Sequence, residues 1–196
     1  MGLSNVQIEK TELLADDWYV LKKTTFNYRR VDGDWQQLTR ETYDRGNGAT
    51  ILLYNLQRGT VVLTRQFRYP TFVNGNETGR LIETAAGLLD HVKPAERIRQ
   101  EVEEETGFRL ENVEPVFESY MSPGSVTERL YFFVAAYSDS DRVSNGGGNY
   151  DEGEDIEVLE LQFSDAMDMI HSGEICDGKT IMLLQYAALY IFDKLG

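Results

Sequence analysis

Four glutamates crowd the last turn of one predicted helix, and this crowding constrains the fold more than any other feature of the chain. The helix should end at Gly107, a typical helix stop, and the acids before it are Glu101, Glu103, Glu104 and Glu105. Residues three or four positions apart share a helix face, so Glu101, Glu104 and Glu105 point the same way. Like charges at this spacing repel, and each acid faces the negative end of the helix dipole, at about 0.3–1 kcal/mol apiece. Such a cluster needs a cation to offset it.

The residues around the cluster predict its place in the fold. Ala86 and Gly87 end a strand of small residues, and Pro94 suits the first position of a helix. Ile98 and Val102 form an apolar stripe opposite the acids. Three convergent carboxylates without a neutralising lysine are the hard oxygen ligands that Mg²⁺ or Mn²⁺ prefers. We therefore predict a metal site where the strand, loop and helix meet; a solvated acidic face is the alternative.

Composition narrows the classes of function. The 196 residues are 41% apolar, which suits one sizeable globular domain or one domain with a small appendage. A net charge of −14 argues against nucleic-acid and anionic-membrane partners, whereas a bound divalent metal would make a small phosphate-rich substrate compatible. The single cysteine, Cys176, indicates a reducing compartment, and the N-terminal stretch lacks an apolar signal region. We expect a cytoplasmic protein.

The order of predicted elements indicates two parts. Residues 5–45 are rich in strand patterns but too polar and thin to stand alone, so they should pack on the rest of the chain or on a second subunit. Strands and helices alternate beyond them, with one strand expected through residues 79–87 and a helix capped by Ser164. We predict an N-terminal β element at 1–45 and an α/β sandwich domain at 46–196.

A glycine-rich segment at residues 144–155 allows two interpretations. It matches neither a phosphate-binding loop nor an EF-hand calcium loop, because the required lysine and acidic spacings are absent. One interpretation is a flexible surface loop. The other is a mobile arm that brings Glu152, Glu154 or Asp155 to the metal centre on closure.

The acidic helix and its loop resemble the box of the Nudix hydrolases, whose pattern is Gly, five residues, Glu, seven residues, then Arg-Glu-apolar-x-Glu-Glu-x-Gly-apolar. The matching positions are Gly87, Glu101, Val102, Glu104, Glu105, Gly107 and Phe108. The spacer is one residue short, Lys93 stands for the loop glutamate, and Gln100 stands for the arginine. We hypothesise that Lys93 and Gln100 reduce the rigidity of the loop without abolishing metal binding.

Further segments resemble the GDP-mannose pyrophosphatase branch of that superfamily, a neighbour of the ADP-ribose pyrophosphatases. They are residues 43–55, 65–68, 74–77, 81–83, 121–128, 146–148, 154–161 and 177–180. The resemblance implies a Nudix-type α/β/α sandwich with a mixed sheet, and Mg²⁺- or Mn²⁺-dependent hydrolysis of a nucleotide-sugar pyrophosphate, first GDP-mannose to GMP and mannose 1-phosphate. Hydrolysis of ADP-ribose or another nucleotide sugar stays open, as does a sensor that binds without cleaving. Lys93 and Gln100 favour the sensor, whereas the retained acids argue against it.

The resemblance also implies roles for individual residues. The metal ligands would be the carbonyl of Ala86 with Glu101, Glu105 and Glu154. Glu154 is the predicted general base, and Glu104 and Glu101 complete the catalytic acids. Substrate contacts are expected from a separate set, namely Arg68, Gly87, Leu88, Glu128 and Lys179.

The N-terminal element of the branch crosses to the partner subunit. The resemblance therefore implies a homodimer in which Trp18, Arg40 and Glu41 contribute to the partner's site. The branch has tyrosine where Trp18 stands, so stacking on a base would survive while a hydroxyl contact would be lost.

Overall fold

The computed structural model describes residues 5–192, which fall into two compact units. The first unit contains Met1–Asn47 and Tyr120–Arg129, and the second contains Gly48–Ser119 and Leu130–Gly196. Within residues 5–192, no helix combines the length and the apolar character that a membrane crossing requires.

The first unit is built on an antiparallel sheet of three strands in the order β1-β2-β3. The strands are β1 (Val6–Asp16), β2 (Val20–Arg29) and β3 (Trp35–Asp44). A tight turn around Gly33, with φ of 96°, joins the last two strands. This sheet confirms the antiparallel N-terminal element that the sequence predicts.

The side chains of this sheet are unusually open to solvent. No residue of its three strands is fully buried in the single chain. The exposed large apolar side chains of the strands and their connections are Val6, Ile8, Leu13, Leu14, Trp18, Tyr28, Val31, Trp35 and Tyr43. A small sheet needs one covered apolar face to be stable, so the exposed side chains form an apolar surface of unusual extent.

The second unit contains a mixed sheet of seven strands. The strands are β4 (Gly48–Asn55), β5 (Thr60–Phe67), β6 (Arg80–Glu83), β7 (Ala85–Leu88), β8 (Glu114–Tyr120), β9 (Arg129–Ala136) and β10 (Glu157–Gln162). The main order is β10-β5-β4-β9-β8, while β6 pairs with β5 and β7 pairs with β4. β4 and β9 are parallel, whereas β4–β5, β4–β7, β5–β6 and β5–β10 are antiparallel.

The single strand predicted through residues 79–87 is wrong, because the chain breaks there into β6 and β7. Thr84 stands at the break, and its backbone N–H donates to the hydroxyl of Thr180 at 2.7 Å. Its own hydroxyl lies 2.8 Å from that of Thr50 in β4. This buried threonine network lets the chain leave β5 and pair with β4.

Helices cover both faces of the sheet. They are α1 (Tyr69–Val73), α2 (Pro94–Thr106), α3 (Phe163–Ser172) and α4 (Gly178–Ala187), which continues as a π-helical turn (Ala188–Phe192). Ile51 of β4 belongs to one buried cluster with Ile98 of α2, while the preceding Thr50 reaches the threonine network that contains Thr180 of α4. Successive strand residues point to opposite faces, so α2 and α4 lie on opposite sides and the predicted sandwich is confirmed.

The capping residues in the sequence predict the ends of α2 correctly but not the start of α3. α2 starts at Pro94 and ends at a left-handed Gly107, as predicted. α3 instead starts at Phe163, two residues before the first residue that a Ser164 cap would give, and Gln162 at its N-cap makes no side-chain hydrogen bond to the helix.

Candidate active site

Two carboxylates of α2 are buried against β7. Glu101 is 6% exposed and Glu105 is 1% exposed. The backbone N–H of Ala86 donates to Glu105 Oε2 at 3.3 Å. Burial raises the pKa of Glu105 well above its usual range, and the charges of Glu101 and Glu154 raise it further; Arg68 and the N–H of Ala86 act in the opposite direction. The structure thus concentrates negative charge where the box resemblance implies a metal.

Gly87 allows β7 to approach α2 closely. A Cβ at this position would overlap the side chain of Glu101. The glycine is therefore required by the carboxylate that lies over it, which places the backbone of Gly87 and Leu88 directly beside the acidic cluster.

Arg97 is a residue that sequence reasoning missed. Its Nη2 lies 2.5 Å from Glu101 Oε1, one helical turn along α2, and its Nε donates to the carbonyl of Leu88 at 2.9 Å. The same guanidinium lies 4.0 Å from Asp90. The sequence does carry a signal for this contact, because an arginine four residues before a glutamate is a recognisable helix pair.

The loop that Arg97 binds has a strained backbone. Asp90 and His91 have φ of 43° and 69°, a left-handed conformation that side chains other than glycine rarely adopt. Because Arg97 bonds to Leu88 and to Glu101, it ties this loop to α2. It therefore provides a brace of the kind that the substitutions at Lys93 and Gln100 were expected to weaken.

The three glycines at 146–148 dock on the C-terminal end of α2. The backbone N–H of Gly147 donates to the carbonyl of Glu105 at 2.9 Å, and that of Gly148 donates to the carbonyl of Glu104 at 3.2 Å. These carbonyls have no partner within the helix, so the segment satisfies them. Both sequence interpretations took these glycines as free chain, whereas the structure uses them as a cap.

Each glycine is needed for its conformation. The φ angles of Gly146, Gly147 and Gly148 are 66°, 117° and 77°. A Cβ on Gly146 would also overlap the backbone carbonyl of Glu105. The run of glycines therefore reflects close backbone packing as well as positive φ.

The docked segment places Glu154 beside the cluster. Its Oε2 accepts from the backbone N–H of Asn149 at 2.9 Å, and its charge is close enough to raise the pKa of Glu105. Asp155 pairs instead with Arg80 at 3.1 Å. The side chain of Glu152 lies outside the described part of the structure. Of the two nominated acids of this segment whose side chains the structure describes, Glu154 joins the acidic cluster and Asp155 does not.

The donor set fits a hard divalent cation. Glu101, Glu105, Glu154 and the carbonyl of Ala86 supply oxygen only, and burial makes their excess charge costly without a cation. Across residues 5–192, no three acidic, imidazole or thiol groups converge tightly enough to form a ready-made metal cage. Glu101 Oε1 pairs with Arg97, and Glu105 Oε2 accepts from the backbone N–H of Ala86.

A cationic pair also lies in the second unit. Arg68 and Lys179, both predicted to contact substrate, bind opposite oxygens of buried Glu83 at 2.8 Å and 3.2 Å. Arg68 lowers the pKa of Glu105 through its charge, so this arginine borders the acidic cluster. Sequence reasoning missed Glu83; its signal is one acid directly after the apolar pair Leu81-Ile82 at the end of β6.

The remaining predicted substrate contacts belong to the first unit. Trp18 is 82% exposed, and the guanidinium of Arg40 donates to the neighbouring carbonyl of Thr39 at 2.8 Å. Glu41 is exposed, while Glu128 pairs with Arg45 at 3.5 Å. Their roles stay predictions.

Comparison with known proteins identifies the family. Residues 44–182 match the NUDIX domain. The chain belongs to the Nudix family. Residues 5–43 match the family described as the GDP-mannose pyrophosphatase NudK N-terminal domain. The resemblance to Nudix hydrolases is thereby confirmed.

Named relatives are similar in sequence to this protein over nearly its whole length. A GDP-mannose pyrophosphatase of Pectobacterium atrosepticum is 57% identical over 186 residues, 95% of each protein. One from Escherichia coli O1:K1 is 56% identical over 181 residues, 92% of this chain and 94% of that protein. The crystal structure of an ADP compounds hydrolase superimposes with a TM-score of 0.75 over 99% of this chain and 98% of that chain, at 16% identity. That last likeness shows the fold alone.

The brace leads to the first prediction. Arg97→Ala should lower the stability of the metal-free protein by about 1–2 kcal/mol, because it leaves Glu101 buried beside Glu105 without its cation. Mg²⁺ should then raise the melting temperature more in this variant than in the wild type. The control is Arg99→Ala, which removes the same charge from α2 but a side chain that bonds to the carbonyl of Glu111. An equal Mg²⁺ effect in both variants would contradict the role of Arg97.

The glycine cap leads to the second prediction. Gly153→Ala tests positive φ alone, because a Cβ there meets nothing within 4 Å at φ of 77°. It should cost about 1–2 kcal/mol in urea unfolding. Gly146→Ala has a similar φ of 66° but adds a backbone overlap, so its loss should be at least twice as large. Equal losses would show that the segment does not dock on α2.

Proposed function

We propose that this protein is a Mg²⁺- or Mn²⁺-dependent nucleotide-sugar pyrophosphatase whose substrate is GDP-mannose. The observation that carries the proposal is the burial of Glu101 and Glu105 in one turn of α2, with Glu154 brought beside them. A chain gains no stability from such an arrangement. Relatives of 56–57% identity named GDP-mannose pyrophosphatases support the substrate.

The chemistry explains the need for the acids. Water must attack a phosphorus atom surrounded by negative oxygens, in a protein of net charge −14. A divalent cation, held by Glu101, Glu105, Glu154 and the carbonyl of Ala86, would neutralise that charge and acidify bound water. Glu154 accepts the proton of the attacking water, and Glu104, half-exposed at the rim, completes the acidic set. The products are GMP and mannose 1-phosphate.

Cations and backbone hold the substrate in this proposal. Arg68 and Lys179 bind the phosphates, and the N–H groups of Gly87 and Leu88 lie beside the cluster. Glu128 contacts the sugar or phosphate. A cytoplasmic location is part of the proposal, because a single cysteine fits a reducing compartment.

We further propose a homodimer in which the element at 1–45 is exchanged and the domain at 46–196 is catalytic. The solvent-exposed apolar side chains of the β1–β3 sheet support this, because a second subunit would bury them. Trp18, Arg40 and Glu41 would then complete the partner's site.

The test is product formation from a panel of nucleotide sugars with and without Mg²⁺, followed by phosphatase-coupled phosphate release and mass spectrometry. GDP-mannose should yield GMP and mannose 1-phosphate only when the metal is present. Preferred cleavage of ADP-ribose would move the substrate to the neighbouring branch. Metal-dependent binding of GDP-mannose without any product would favour the sensor.

The third prediction concerns the most deeply buried acid. Glu105→Gln should lower kcat at least about 100-fold, because a metal-ligand carboxylate supplies several kcal/mol and each 1.36 kcal/mol is tenfold. The metal-free variant should unfold at no lower urea concentration than the wild type, since a buried like charge is gone. Glu103→Gln is the matched control on the same helix; this exposed acid pairs with Arg109, and the variant should keep wild-type kcat.

The fourth prediction tests sites completed in trans. Trp18→Ala and Glu105→Gln should each be impaired alone, at substrate well below KM. If the N-terminal element crosses between subunits, a mixed dimer of the two variants contains one site with both native residues. Random mixing should then restore about a quarter of wild-type activity, because half of the dimers gain one intact site of two. Sites completed within one chain would show no recovery.

A further inference from the structure

Glu83 is a buried carboxylate that holds two cations from distant parts of the chain. It lies at the end of β6 and is 3% exposed. Its Oε2 accepts from Arg68, at 2.9 Å from Nε and 2.8 Å from Nη2. Its Oε1 lies 3.2 Å from Lys179 Nζ. A carboxylate this deeply buried requires such partners, and here each oxygen takes one cation.

The position of Lys179 is fixed by the start of α4. Asp177 caps this helix, accepting from the backbone N–H of Thr180 at 3.0 Å and from its hydroxyl at 2.7 Å, and it also binds Lys179 at 3.0 Å. The hydroxyl of Thr180 in turn accepts from the N–H of Thr84 at 2.7 Å. Thr84 directly follows Glu83, so one network anchors the carboxylate and its lysine together.

The two cations retain donors that Glu83 does not use. A guanidinium has five N–H groups and an ammonium has three. Two nitrogens of the Arg68 guanidinium, Nε and Nη2, bond to Glu83, and the ammonium of Lys179 bonds to Glu83 and Asp177. The side chain of Arg68 is 39% exposed, so its remaining donors can reach a ligand.

We propose that Glu83 is a positioning residue that holds Arg68 and Lys179 as one preformed clamp for the diphosphate of the substrate. The proposal rests on the proposed function. Two neighbouring cations without a shared counter-ion would repel each other and sample many rotamers. A common carboxylate fixes their spacing before the substrate arrives, so less side-chain freedom is lost on binding. The clamp also borders the carboxylates that hold the metal, since Arg68 acts on Glu105 electrostatically.

Two effects of opposite sign compete in this arrangement. The charge of Glu83 repels a phosphate, while its hydrogen bonds orient both cations toward one. Orientation should dominate, because the carboxylate is buried behind its partners and the donors left over are those directed away from it. Removal of the charge should therefore weaken binding of a diphosphate rather than strengthen it.

The variant Glu83→Gln tests the clamp, with Glu160→Gln as matched control. Glu160 is a more accessible carboxylate, with its side chain 25% exposed, and like Glu83 it has a guanidinium partner, Arg58 at 2.8 Å; Tyr137 donates to it at 2.7 Å. Calorimetry would measure binding of inorganic pyrophosphate with Mg²⁺ present and of GDP-mannose with Mg²⁺ withheld, so that no cleavage occurs, and steady-state kinetics with Mg²⁺ would give KM and kcat. Glu83→Gln should weaken pyrophosphate binding and raise KM at least tenfold, with kcat reduced less than threefold. Glu160→Gln should lower the melting temperature but leave binding and KM unchanged.

Three other outcomes decide against the clamp, and a fourth decides against hydrolysis alone. If Glu83→Gln lowers only the melting temperature, the cluster is a structural ion pair. If it tightens pyrophosphate binding, Glu83 competes with phosphate for the cations. A wild type that binds neither probe has no diphosphate clamp. A wild type that binds GDP-mannose without cleaving it overturns the proposed hydrolysis alone, and the ratio of binding constants then still decides the role of Glu83.

Discussion

The site depends on one constraint, which is that two ionisable carboxylates one helical turn apart must stay buried. Removing each ion from water costs several kcal/mol, and the repulsion between Glu101 and Glu105 adds to that cost. Separate neighbours offset this cost for each carboxylate. Arg97 pairs with Glu101, whereas the N–H of Ala86 and the charge of Arg68 favour the ionised form of Glu105. Buried like charges on one helix face are unfavourable, and here neighbouring cations and a backbone N–H compensate for them. Such an arrangement is typical of a functional site rather than of a stabilising core.

Features set by neighbouring residues could be predicted from the sequence. Pro94 and Gly107 fix the ends of α2 because each acts through its own backbone angle. The apolar runs of β4 and β5 predict buried strands, and the mixed order of elements predicts the sandwich. The acids Glu101 and Glu105 follow from helical spacing, so the centre of the candidate site was visible before its geometry.

Features set by distant residues could not be predicted in the same way. Glu83 is unremarkable until folding brings Arg68 and Lys179 to its two oxygens. The break at Thr84 depends on a hydroxyl from α4, 96 residues away. The glycines at 146–148 are a second example. The sequence indicates that their backbone is flexible in the unfolded chain, but their role as a helix cap depends on the distant carbonyls of α2.

The contact between the glycine segment and α2 also sets where the chain tolerates changes of length. Between Gly107 and Gly146 the chain leaves the helix end and returns to it, since Val143 and Ser144 bond to the carbonyl of Gly107. Residues added to an exposed turn in that excursion leave both ends in place. From Gly146 to Glu154 the count is fixed, because one end is locked to the helix and the other must reach the acids. Homologues should therefore vary in length before the glycines and keep one spacing after them.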